Sequence, residues 1–134
     1  MTHLILISHG DYAKAMIESA ELILGQQSNV TTFGFYLGDS VDQLQESVAN
    51  ELMKVQVDKD VLVLTDMFSG SPFNAAAALM QENSFHHITG INLPLLLEIL
   101  MSRGEMSVEE ICKNVMEIKK DTIIHVNKFL EEME

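Results

Sequence analysis

Two rhythms of hydrophobic and polar residues alternate along the chain. Leu4 to Ser8 is a short continuous apolar run, which predicts a strand buried on both faces. Ser8-His9-Gly10-Asp11 breaks it, and Ala13, Met16, Ile17, Ala20, Ile23 and Leu24 then recur at helical spacing. Gly25 is placed to end that helix. Thr31 to Leu37, with Phe33, Phe35 and Tyr36, predicts a second strand. Ser40-Val41-Asp42-Gln43 has the form of a capping box and opens a helix with the stripe Val41, Leu44, Val48, Leu52 and Val55. Asp60 to Thr65 predicts a third strand, apolar on both faces. The loop from Asp66 to Gly70 leads to Ser71 and Pro72, residue types suited to the N-cap and first position of a helix. The alanine-rich run from Phe73 to Met80 lets this helix lie close to a sheet.

Ile88 to Ile91 predicts a fourth strand. Asn92 caps a short helix, Leu93 to Ser102, with Pro94 in its first turn. Ser107-Val108-Glu109-Glu110 forms another capping box, opening a helix to about Lys120. The stretch from Asp121 to Asn127 is ambiguous. Thr122, Ile123, Ile124 and Val126 favour an antiparallel edge strand usable in dimerisation, although the preceding helix could continue through it. Alternating strands and helices, without repeat or linker, predict one α/β domain over residues 1–134: a three-layer α/β/α sandwich around a mostly parallel sheet of about four strands, with that edge strand added.

In an open parallel sheet, ligands bind beyond the carboxyl ends of the strands, where the strand order reverses. This rule gathers the loops after the first, third and fourth strands, and with them His9, Asp66, the start of the helix at Ser71, and Asn92. A neutral imidazole has a free ring nitrogen and serves as a nucleophile near neutral pH. Asp66 is the natural carboxylate to hold the opposite N–H and fix the tautomer. A phosphoryl group on the imidazole needs donors. Gly70, Ser71, Phe73 or Asn74 N–H groups and the Ser71 hydroxyl are the candidates at the helix N-terminus, while Gly10 and Gly70 permit close backbone approach. Taken singly, His9 reads as a loop residue, Asp66 as a turn cap and Ser71-Pro72 as an ordinary helix start; the shared rim is what joins them. Met67, Phe68 and Leu93 fit either a water-excluding rim or plain core packing. His3, His86, His87 and His125 read as structural or surface residues.

Composition narrows the function. The chain has 134 residues and is 47% hydrophobic, enough for one core without metals or disulfides. A formal charge of −12 argues against nucleic acid and anionic membranes as partners. It suits a basic protein partner, or solubility alone. The single cysteine, Cys112, the absence of a signal-peptide pattern and the lack of any apolar run near ~20 residues predict a cytoplasmic protein. Neither a zinc spacing nor a P-loop nor a G-x-G-x-x-G pattern is present, so no cofactor or metal is expected.

These residues resemble the IIA proteins and domains of the mannose–fructose–sorbose class of bacterial phosphotransferase systems. The matching segments are the opening strand with Ser8-His9-Gly10, then Leu24-Gly25, then Val63-Leu64-Thr65-Asp66 with Gly70-Ser71-Pro72-Phe73-Asn74-Ala75-Ala76. Gly90-Ile91-Asn92-Leu93-Pro94 with Leu97-Glu98 completes the match. The resemblance implies a phosphotransferase in which His9 accepts a phosphoryl group on Nε2 from the phosphocarrier HPr and passes it to a IIB protein, with Asp66 on the other ring nitrogen. With that role, Gly10, Gly70, Ser71 and Phe73 are expected to surround the phosphoryl group, and Met67, Phe68, Asn92 and Leu93 to rim the docking face. It also implies a homodimer with an exchanged C-terminal strand, a separate IIB protein, and an indirect link to membrane IIC and IID subunits that choose the sugar. Three alternatives are the phosphocarrier subunit of a dihydroxyacetone kinase, a receiver-like module phosphorylated on Asp66, and a catalytically silent binding protein. The second lacks the paired acids and late-strand lysine such modules use.

Overall fold

A computed structural model describes residues 1–56 and 59–134. The elements in order are β1 (His3–His9), α1 (Tyr12–Leu24), β2 (Val30–Phe35), α2 (Val41–Val55), β3 (Val61–Thr65), α3 (Ser71–Leu79), β4 (His86–Thr89), α4 (Leu93–Ser102) and α5 (Val108–Ile118). A 3₁₀ turn, Lys119–Asp121, and a last helix, α6 (Val126–Glu132), follow.

The four strands are parallel in the order β2-β1-β3-β4. β1 and β3 are central and apolar on both faces, so each strand feeds two cores. Leu4, Leu6, Leu62 and Leu64 pack against α1, α4 and α5. Ile5, Ile7, Val61 and Val63 pack against α2 and α3, where Ala75 and Ala76 let the α3 backbone approach the sheet. The result is the three-layer α/β/α sandwich that the alternating pattern predicts. Because β2 lies on one side of β1 and β3 on the other, the chain leaving β1 and the chain leaving β3 separate to opposite faces of the sheet. The crevice between them opens at the carboxyl ends of these two strands, the placement expected for a site.

Several expectations need correction. The fourth strand runs over His86–Thr89 rather than Ile88–Ile91, because Gly90 turns out of the ladder at φ +83°. Helix α3 is capped by Gly70 at φ +89°, so Ser71 and Pro72 occupy its first turn and Ser71 is not the N-cap. At α2 the Ser40 hydroxyl does accept the Gln43 N–H at 3.3 Å, while the full reciprocal box is found at Ser107 and Glu110. Asn92 caps α4 as expected, its Oδ1 accepting the Leu95 N–H at 3.0 Å.

The antiparallel edge strand over Asp121 to Asn127 is absent from the described chain. The segment begins in the 3₁₀ turn and ends in α6. Thr122 turns its hydroxyl inward, donating to the Lys119 carbonyl at 2.7 Å and accepting from Asn92 Nδ2 at 3.0 Å. β-Branched residues favour a strand only where a ladder and packing partners receive them; here Ile123, Ile124 and Val126 stay exposed.

Candidate functional site

His9 is the last residue of β1 and Asp66 follows the last residue of the adjacent β3. The register Ile7↔Thr65 brings the two strand ends side by side. Asp66 Oδ2 accepts from both the backbone N–H of His9, at 2.9 Å, and the ring Nδ1, at 2.8 Å. Its other oxygen, Oδ1, accepts the Met67 N–H at 3.0 Å. A carboxylate so held only accepts, so the proton of a neutral His9 ring sits on Nδ1 and the lone pair on Nε2. The His9 side chain is 47% exposed while that of Asp66 is 11% exposed. The carboxylate is inside and the imidazole reaches the surface.

Gly70 closes on its Nε2. A Cβ there would stand 2.9 Å from His9 Cε1 and 3.0 Å from Nε2, and its φ of +89° disfavours any other residue. Gly70 also begins α3, and the first ladder bond runs from the Asn74 N–H to the Gly70 carbonyl at 2.9 Å. The Ser71 and Phe73 N–H groups precede that bond, and Pro72 has none to offer. Positive dipole and unladdered donors therefore lie beside His9 Nε2, an arrangement suited to an anion. Asn74, considered a donor on sequence, spends its N–H within the helix.

The turn after His9 is held from below and from the side. The buried Ser8 hydroxyl accepts the Ala13 N–H at 2.7 Å, replacing the side-chain cap that Asp11 does not make. Gly10, at φ +54°, donates its N–H to the Phe35 carbonyl at 2.7 Å. Met67 and Phe68 are exposed, Phe68 at 77%. Phe68 packs edge-on against Phe73 with ring centroids 5.0 Å apart. Leu93 instead packs against the α1 and α4 core, and Asn92 is occupied by its cap and by Thr122. Of the expected rim, Met67 and Phe68 offer free apolar surface.

Sequence reasoning missed two features. His87 sits within β4, its Nε2–H donating to Thr65 Oγ1 at 2.8 Å, and Thr65 in turn donates to Thr89 Oγ1 at 2.8 Å. Burial lowers the His87 pKa, and its ring lies 5.2 Å from Phe73, so it supports the site from beneath. Tyr36 hydrogen-bonds Asp11 beside the turn, with Gly34 under it. A glycine inside the aromatic run Phe33 to Tyr36 signals close backbone approach and could have flagged that contact. Among the described residues no group of three or more His, Cys, Asp or Glu side chains could hold a metal. No described helix is long and apolar enough to cross a membrane.

Comparison with known proteins gives the family of the chain. Residues 3–116 match the family model described as PTS system fructose IIA component. The chain is 31% identical to the fructose-specific EIIA component of Bacillus subtilis, covering 99% of this chain and 92% of that protein. It is 38% identical, over 78% of its length, to the mannose-specific EIIAB component of Escherichia coli, of which it spans a third. The crystal structure of phosphotransferase system component EIIA from Streptococcus agalactiae superposes with a TM-score of 0.85 at 29% identity, covering 96% of this chain and 99% of that one. With His9 at the end of β1, the carboxylate of Asp66 behind it and a helix N-terminus beside it, the chain belongs to the family of PTS system fructose IIA components, in the mannose–fructose–sorbose class of sugar phosphotransferase systems.

Proposed function

We propose that His9 is the phosphoryl-accepting residue of this IIA component and that Nε2 is the reacting atom. The observation that carries this reading is the 2.8 Å contact of Nδ1 with Asp66 Oδ2, which leaves Nε2 unprotonated on a half-exposed ring. The Nε2 lone pair attacks the phosphorus of a phosphohistidine on HPr. A new N–P bond forms as the donor's N–P bond breaks, and the electron pair leaves with the donor nitrogen. The Nδ1 proton stays in place, and the carboxylate of Asp66 offsets the positive charge gained by the ring. Ser71 and Phe73 N–H groups, with Gly70 and Gly10 allowing close approach, receive the phosphoryl oxygens. In transfer to a IIB protein the acceptor group attacks the same phosphorus, the Nε2–P bond breaks and its electron pair returns to Nε2; positioning carries most of the catalysis.

Nε2 at an open rim, with Met67 and Phe68 exposed around it, fits docking of two protein partners in turn. The chain acts as one cytoplasmic domain, linked to membrane IIC and IID subunits only through IIB. It forms a homodimer: β4 is an open sheet edge, and Ile123, Ile124, Val126, Phe129 and Leu130 leave apolar surface for a second copy. Incubation with enzyme I, HPr and phosphoenolpyruvate tests the central reading. Stoichiometric phosphate on wild type and none on His9→Ala is expected; full labelling of His9→Ala would refute it.

A further inference from the structure

We infer that Tyr36 is a positioning residue for phosphoryl transfer: its hydroxyl holds the Asp11 carboxylate on the β2 side of the His9 turn, out of the space that a phosphoryl group on Nε2 would occupy. This rests on His9 being the phosphoryl acceptor.

Three independent features build the clasp. Tyr36 donates its hydroxyl to Asp11 Oδ1. Gly34 makes room for it: a Cβ there would stand 2.5 Å from the Gly10 carbonyl oxygen and 2.7 Å from the Tyr36 hydroxyl. The end of β2 is itself fixed, since the Tyr36 N–H donates to Asp39 Oδ2 at 2.7 Å and its carbonyl accepts the Asp39 N–H at 2.9 Å. The contact with Asp11 also raises the Tyr36 pKa, so the phenol remains a donor at neutral pH.

The need for such a clasp follows from charge and strand order. Asp11 is two residues from His9 and exposed, and its carboxylate does not cap α1. A loose carboxylate beside a phosphoryl group repels it and competes for the same N–H donors. β1 lies between β2 and β3, so Asp66 and Gly70 act on His9 from the β3 side while Tyr36 draws Asp11 to the β2 side. The carboxylates of Asp66 and Asp11 are thus given opposite tasks, one orienting the ring and one kept away.

The test measures single-turnover transfer from phospho-HPr to wild type, Tyr36→Phe, Asp11→Asn and the double variant, with the labelled residue mapped in each. Tyr36→Phe should slow transfer roughly three- to tenfold, the effect of one hydrogen bond. Asp11→Asn in that background should restore the rate to within about twofold of wild type, because the freed group is then neutral. An unaltered Tyr36→Phe rate overturns the inference, and so does a loss that persists in full beside Asp11→Asn. Normal labelling of wild-type His9 with either of those results leaves the functional reading standing, whereas absence of label on wild-type His9 overturns both.

Discussion

The two ends of the sheet treat ionisable side chains in opposite ways. At the amino ends of the strands Arg103 is 2% exposed. Its guanidinium donates to the carbonyls of Thr2 at 3.2 Å, Ser28 at 2.5 Å and Asn29 at 2.9 Å, and to Gln27 Oε1 at 3.2 Å. Burial lowers its pKa, and these neutral oxygens, rather than a carboxylate, compensate it. It ties the loop before β2 to the chain terminus. At the carboxyl ends His9 is half exposed, with one ring nitrogen held and the other without a hydrogen-bond partner among the described residues. A buried cation whose two terminal nitrogens are both held is a fastening, even with its Nε–H left without a partner among the described residues. An exposed nitrogen whose twin is pinned is available for chemistry. The difference is exposure: the unpartnered Nε of Arg103 is buried, whereas His9 reaches the surface.

The contrast can be broken from either end. Arg103→Met should have the largest effect, about 2–3 kcal/mol of stability, because it strands buried carbonyls. Denaturant unfolding should show that loss, while phosphoryl acceptance by the folded fraction stays normal. Asp66→Asn should do the reverse. The amide can present an NH₂ to Nδ1 and move the ring proton to Nε2, slowing transfer roughly 10- to 100-fold with unchanged circular dichroism. Gly70→Ala crowds His9 Cε1 and Nε2 and should slow transfer roughly tenfold; nitrogen chemical shifts of the His9 ring would show its displacement. The smallest effect concerns pH. Burial lowers the pKa of His3 and His87 below the ordinary 6.5. Their neutral forms therefore stabilise the fold fully above pH 6.5, and that contribution is lost as pH falls through the folded-state values. Thermal melts should show a lower Tm at pH 5 than at pH 7.5, with a smaller drop in His87→Gln, which does not titrate.

Much of this was legible in the sequence because it is carried by local signals. The central strands announce themselves as unbroken apolar runs, and Asn92 and Ser107 cap the helices they should. His9 and Asp66 were joined by a topological rule alone. Long-range choices were not legible. Residues of β4 satisfy a strand pattern in either of two frames, and the frame is chosen by pairing with β3 and by the left-handed turn at Gly90. The segment after Asp121 reads as a strand by residue type, yet its hydrogen bonds go to Lys119 and Asn92. Ser71 looked like a cap because the actual cap, Gly70, contributes no side chain. Its role is visible only when the His9 ring is placed against it.

The most direct test of the account is the site of modification after incubation with enzyme I, HPr and phosphoenolpyruvate, read by mass spectrometry under conditions that preserve phosphohistidine. The account predicts one phosphoryl group per chain, on His9, acid-labile and stable to alkali. An acid-stable, alkali-labile phosphate on Asp66, or stoichiometric labelling at any other residue, would contradict it.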